Sequence, residues 1–380
     1  MIEAYLSGSI LQSIERIRQL RGIVQSRYPR EYDGLRQLCL TKLDQAHFEF
    51  SALTKERIID GSIQTPRRVR AFKRLVEQLN GIEGIGVFAL NRASDEDKFL
   101  NRVITDICAE ISYPLITPVI SHMSQDYFHI YSDFNLLCLP LIESRFLLHL
   151  PDVYHELCHP LHRALDSPAL QPYQDAFKQC LFGMVGHFQN ETLAAERLRN
   201  QEARLYQLQL WRTCWTKYWM EEFFCDLFGV LAVGPAYAWS HYHLCIKRGG
   251  DPYQTPLMFE ASHPADDARM TVVLAMLRTN PTFQRNADAI EAAWKEFVSR
   301  MGYSVPAEYY QCYPAAQFSM MIAAAKKGVA GIGIQPADAH CMAGLRSLLN
   351  EAWSTFWQAP ASYQSWETRR VSELRARVSA

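Results

Sequence analysis

Within the stretch LPDVYHELCHPLH, His155, Glu156 and His159 stand in the spacing H-E-x-x-H. On a helix, a separation of four puts two imidazoles on one face, one turn apart, where two nitrogens can bind a single ion at about 2.0 to 2.1 Å. Glu156 then points beside the ion. A carboxylate in that place can take a proton from a water whose acidity a Zn2+ ion has raised.

A third ligand is expected from MEEFFCDLFGV, where Glu222 and Asp226 are again four apart. Glu222 would complete the metal site, and Asp226 would hold a ligand histidine by its second ring nitrogen. Carboxylates among Phe223, Phe224, Leu227 and Phe228 are costly to bury unpaired, and a cation between two helices relieves that cost. The bland alternative is an exposed Glu221-Glu222 pair at a helix end. Further on, Ser262-His263-Pro264 and Arg269 form another element. His263 could donate a hydrogen bond to a developing oxyanion, with Arg269 orienting it or the substrate; otherwise His-Pro is helix-start punctuation. Cys158, on a neighbouring face, could ligate a soft metal, and His162, three residues past His159, could serve as a third ligand.

H-E-x-x-H followed by a helix carrying E-x-x-x-D resembles the gluzincin metallopeptidases, and SHPADDAR is similar to the S/T-H-P-x-x-x-x-R element of the heat-shock and CAAX-processing peptidases. The resemblance runs from about Phe134 to Arg269. It implies a zincin-like core with His155, His159 and Glu222 as zinc ligands, Glu156 as base and Asp226 behind a ligand. It also implies an edge strand for an extended peptide, supplied by the hairpin ahead of the motif. Two features depart from the pattern. Pro160 follows the second histidine and should kink or end the helix there, and Glu222 lies 63 positions after His159. The membrane spans of the CAAX-type enzymes have no counterpart.

The elements that must position these residues are mostly helical. Leu11, Ile14, Ile17, Leu20 and Val24 recur at helical spacing. Tyr28-Pro29 and Gly61 to Pro66 separate three helices, the last a basic one from Arg67 to Leu79. Gly81 to Gly86 reads as a loop, and Ser94 as the cap of a helix reaching about Ile111. Tyr127 to Tyr131 and Phe134 to Leu139 read as a short hairpin. The expected class is mainly α, with a small hairpin or sheet next to the H-E-x-x-H helix and further helices around it. Three regions are expected: N-terminal helices over 1–90, a metallopeptidase core over 91–262, and C-terminal helices over 263–380. The core would hold a hairpin at 126–139, the motif helix at 143–163, an insert at 171–209 and the E-x-x-x-D helix at 211–233.

With 39 basic and 40 acidic residues, no net field favours nucleic acid or an anionic membrane. Glu3, Glu15, Arg16 and Arg18 interrupt any secretory signal. The apolar tract from Phe223 to Trp239 carries Asp226 and Gly234-Pro235, so no membrane insertion is expected. Ten scattered cysteines without C-x-x-C spacing suit reduced, buried thiols in the cytoplasm. The expectation is a cytoplasmic zinc metallopeptidase acting on a peptide or protein. The alternatives are another zinc amide hydrolase or deacylase, and a helical interaction protein with a structural or degenerate metal site.

Overall fold

The computed structural model describes residues 2–55, 64–92, 95–124, 128–140, 146–164, 167–340 and 342–379. The Gly61 break, the Ser94 cap, Tyr127, the motif-helix start at 143–145 and Cys341 lie outside these. The chain is mainly helical with one small sheet. Its contacts group the chain into two units: residues 1–104 with 116–141, and residues 105–115 with 142–380. Among the described residues no helix is long and apolar enough to cross a membrane, and the nine described cysteines are buried and outside any disulfide.

In the first unit, α1 (Ile2–Val24), α2 (Asp33–Lys55) and α3 (Gln64–Gly81) share one apolar core. The inward stripe of α1 is Leu6, Ile10, Ile14, Ile17, Leu20 and Val24, whereas Leu11 is 58% exposed. Ile10 takes the place expected for Leu11 because i−4 from Ile14 lies on the buried face. Gly81 to Gly86 is not a loop: a π-helical turn, Ile82–Val87, carries α3 into α4 (Phe88–Asn91). A Cβ on Gly86 would sit 2.5 Å from the Cys39 sulfur and 3.0 Å from the Phe134 ring, so this glycine serves close packing. The next helix, α5 (Asp95–Glu110), supplies its first ten residues to this unit.

The hairpin is present as β2 (His129–Tyr131) antiparallel to β3 (Leu136–Cys138), and sequence reading missed β1 (Val119–Ser121), parallel to β3. The order is β1-β3-β2, with Ile120 opposite Leu137 and Ile130 also opposite Leu137. Asn135 takes the left-handed turn position at φ 46 and donates its side-chain amide to the Ile116 and Thr117 carbonyls. This sheet belongs to the first unit, and the His155–His159 segment to the second.

The second unit is built from helices. The motif segment comprises two short pieces, α6 (Asp152–Glu156) and α7 (His159–Arg163), instead of one helix over 143–163. Pro151 precedes α6 and opens it. The insert splits into α8 (Gln171–Glu196) and α9 (Glu202–Cys214), parted near Asn200, which has φ 58. No break falls at Leu210: α9 passes through a π-helical turn, Trp215–Trp219, into α10 (Met220–Val233). Gly234, at φ 74, then turns the chain into α11 (Pro235–Arg248). Beyond lie α12 (Asp266–Arg278), α13 (Gln284–Met301), α14 (Tyr309–Cys312), α15 (Ala315–Gly331), α16 (Gly344–Gln358) and α17 (Pro360–Ser379). Helix α16 is fixed at its N-terminus by the Glu110 carboxylate, which accepts from the Leu345 and Arg346 amides.

Candidate metal centre

Helix α10 is the axis of the second unit, with Phe223 through Val230 buried. It packs against α6, α8, α11, α12 and α15. A helix buried all round must dispose of its polar residues internally, and three acids, Glu221, Glu222 and Asp226, project from it toward α6, α7 and α12.

Pro160 shapes the motif opposite. It offers no N–H to the Glu156 carbonyl, and its ring crowds that turn, so the helix breaks at Leu157–Cys158, one turn before the proline. Both residues keep right-handed helical backbone angles. The Cys158 amide donates to the His155 carbonyl at 3.0 Å, and the Leu161 amide to the Cys158 carbonyl at 2.9 Å. The Leu157 carbonyl released by the break accepts from the Tyr113 hydroxyl at 2.7 Å. The two histidines therefore stay on one face, ring centres 5.2 Å apart.

Each imidazole is held by one nitrogen and turns the other to the same carboxylate. His155 Nδ1 lies 3.0 Å from Asp226 Oδ1, and its Nε2 lies 3.4 Å from Glu222 Oε2. His159 Nδ1 lies 2.9 Å from Glu221 Oε1, and its Nε2 lies 3.9 Å from Glu222 Oε1. Sequence reading placed Glu222 and Asp226 correctly relative to the histidines. It missed Glu221, which is not an exposed end-of-helix acid but the partner of His159 Nδ1.

Asp226 is fully buried and accepts both arms of Arg269, at 2.7 and 2.6 Å. The Tyr237 hydroxyl donates to it at 2.5 Å and also lies 3.1 Å from His155 Nδ1. Gly229 makes this possible: a Cβ there would meet the Tyr237 ring at 2.7 Å, so only glycine lets the ring lie on α10. Arg269, expected to support substrate or an oxyanion, is 4% exposed with its guanidinium on Asp226 and 3.8 Å from Glu222, so its contacts here brace the carboxylates.

The charges follow from that enclosure. Burial would raise the Asp226 carboxyl, yet the Arg269 charge and hydrogen bonds, with His155, hold it well below the usual range. Burial likewise opposes ionisation of Glu222, and His155 and Arg269 overcome it. Burial works to lower His155, but Asp226 and Glu222 hold it well above its ordinary value. Glu156, half-buried beside the pair, is raised by burial against the lowering influence of His159 and His155.

Across from Glu222, His263 brings Nε2 to 4.0 Å from Oε2 and is half exposed, while its Nδ1 lies 2.9 Å from the Ser262 hydroxyl. The loop bearing it is fixed by indole donors: Trp211 to the Pro256 carbonyl and Trp219 to the Ala261 carbonyl, both at 2.8 Å. A cleft of about 590 Å³ lies along this loop, lined by Leu257, Met258, Phe259, Ser262 and His263 among others.

Two histidine nitrogens and an ionised carboxylate, each anchored from behind, form a donor set that fits zinc. Cys225 competes for the third place, because its sulfur lies within 4.8 Å of a nitrogen of both histidines. Glu222 is favoured on orientation: both Nε2 atoms face its two oxygens, with both Nδ1 atoms engaged elsewhere. No family model matches the chain, and neither does any curated protein or solved structure.

Proposed function

We propose that the chain is a zinc-dependent metallopeptidase. The observation that carries this reading is the shared orientation of His155 and His159, each with Nε2 toward Glu222 and Nδ1 on a separate carboxylate. When bound by those three residues, a zinc ion polarises a carbonyl oxygen and lowers the pKa of water to about 7.

The remaining steps belong to the chain. Asp226 and Glu221 fix the imidazole tautomers, with the proton on Nδ1 and the lone pair on Nε2. Arg269 and Tyr237 keep Asp226 in place. Glu156 takes a proton from the attacking water and returns it to the leaving nitrogen as the peptide C–N bond breaks. In His263, a hydroxyl proton donated from Ser262 to Nδ1 leaves Nε2–H free to donate to the oxyanion. The cleft beside it, with Leu257 at 52% and Phe259 at 79% exposure, suits an apolar side chain of an extended peptide.

The test is hydrolysis of an unbiased peptide library by the zinc-loaded protein and by Glu156→Gln, which keeps shape but cannot act as base. Cleavage by the parent and its loss in a zinc-retaining variant are expected. Equal activity in the variant removes the assignment. Zinc-loaded protein that deacylates amides but cuts no peptide would make it the other kind of hydrolase.

A further inference from the structure

A second group of soft donors lies beside the first on the same two segments and shares with it the Cys225 sulfur, which the hydrolytic reading, with Glu222 as third ligand, leaves unused. Cys158, at the α6–α7 break, and Cys225, on α10, are fully buried. Their sulfurs and a nitrogen of His162 all lie within 4.8 Å of one another. Cys158 Sγ is 3.8 Å from His162 Nε2, and the Tyr173 hydroxyl touches both, at 2.9 and 3.0 Å. For a tetrahedral zinc with bonds of about 2.3 Å to sulfur and about 2.0 to 2.1 Å to nitrogen, the edges come to about 3.6 Å for S···N and about 3.8 Å for S···S. The cluster thus has the size of such a site to within a side-chain adjustment.

The surroundings agree. Phe177 and Phe224 pack on the His162 ring at 4.5 and 6.2 Å between centroids, forming an apolar wall of the kind that excludes water from thiolate sites. His162 Nδ1 is buried without a hydrogen-bond partner, so the present network leaves its imidazole incompletely satisfied. A cleft of about 250 Å³ lined by His162, Phe177, Thr216 and Glu221 provides an entry path.

We propose that Cys158, Cys225 and His162 form a second metal site, for a thiophilic divalent cation, with Tyr173 as hydrogen-bonding neighbour of the Cys158 sulfur. Binding releases the two thiol protons to solvent and involves no electron transfer, so the dication and two thiolates balance. Position gives the site a purpose. Cys158 stands between Glu156 and His159 in the chain, and Cys225 between Glu222 and Asp226. An ion on both sulfurs clamps the broken motif segment to the helix carrying the third ligand. The proposal is separable from the peptidase reading, because Cys158 and His162 belong to this cluster alone and Glu222 to the other.

Titration of the metal-free full chain with Co2+ alone tests it. The expected result is two equivalents bound, one with a near-ultraviolet sulfur-to-cobalt charge-transfer band. The band is expected to disappear in Cys158→Ser and Cys225→Ser and to persist in Glu222→Gln. Cobalt binding to the unmodified protein without that band overturns the proposal, even if both serine variants fail to fold. Survival of the band in folded Cys158→Ser overturns it too. Survival there would put Cys225 at the His155–His159 site, whereas hydrolysis itself is probed separately by Glu156→Gln.

Discussion

Glu221→Gln isolates what a carboxylate behind a ligand contributes. Its Oε1 accepts from His159 Nδ1 at 2.9 Å, while its other oxygen is 3.7 Å from Arg163, whose side chain is 67% exposed. That exposed pair is worth only about 0–1 kcal/mol, so the fold should barely register the change. Zinc should. Loss of a carboxylate behind a metal-bound imidazole typically costs 10- to 100-fold in affinity. Glutamine still accepts the Nδ1–H bond, so about tenfold, or about 1.4 kcal/mol, is expected; Glu221→Ala, which loses the bond as well, should approach about 100-fold. Competition for zinc against a chromophoric chelator gives the affinities, and urea denaturation of the metal-free proteins gives the stabilities. If both variants bind zinc as tightly as the parent while folding normally, His159 is not a ligand held by Glu221, and the reasoning fails.

Asp226→Asn is expected to behave differently: it strands the Arg269 guanidinium in the interior, so metal-free stability should fall by about 3–5 kcal/mol in urea denaturation. Gly229→Ala drives a methyl into the Tyr237 ring, and thermal unfolding should report a loss of about 1–3 kcal/mol. The pH dependence should show His241, which burial, aided by the Arg269 charge, lowers from 6.5 to about 3. The folded state keeps it neutral while the unfolded chain protonates it, so its contribution is intact above about pH 6.5 and is lost as pH falls toward 3, by at most about 1.4 kcal/mol per unit. Denaturation midpoints at about pH 7 and about pH 5 should converge in His241→Gln relative to the parent.

The grouping of these side chains was legible because it depends on short spacings. Four residues on a helix return to the same face, and this holds for His155 with His159 and for Glu222 with Asp226, even though the first helix is broken between its histidines. What escaped notice depends on neighbours distant in sequence. Glu221 looks like a solvent-facing acid until α7 is seen beside it. Tyr237 needs the notch at Gly229, eight positions earlier in the sequence, and Arg269 needs the buried Asp226 to explain why it turns inward. The glycines at 81, 84 and 86 carry turn chemistry, yet the apolar flanks Ile82 and Val87 and the close approach of Cys39 favour continued helix. Val119 to Ser121 is too short for period-two alternation to show, and its strand exists because Leu136 to Cys138 offers it a partner.

Anomalous scattering at the zinc edge from zinc-saturated crystals locates every bound ion without assuming a ligand set. A peak is expected about 2.0–2.2 Å from His155 Nε2, His159 Nε2 and a Glu222 oxygen. A sole peak ligated by the Cys225 sulfur in place of Glu222, or none near the two histidines, would contradict it.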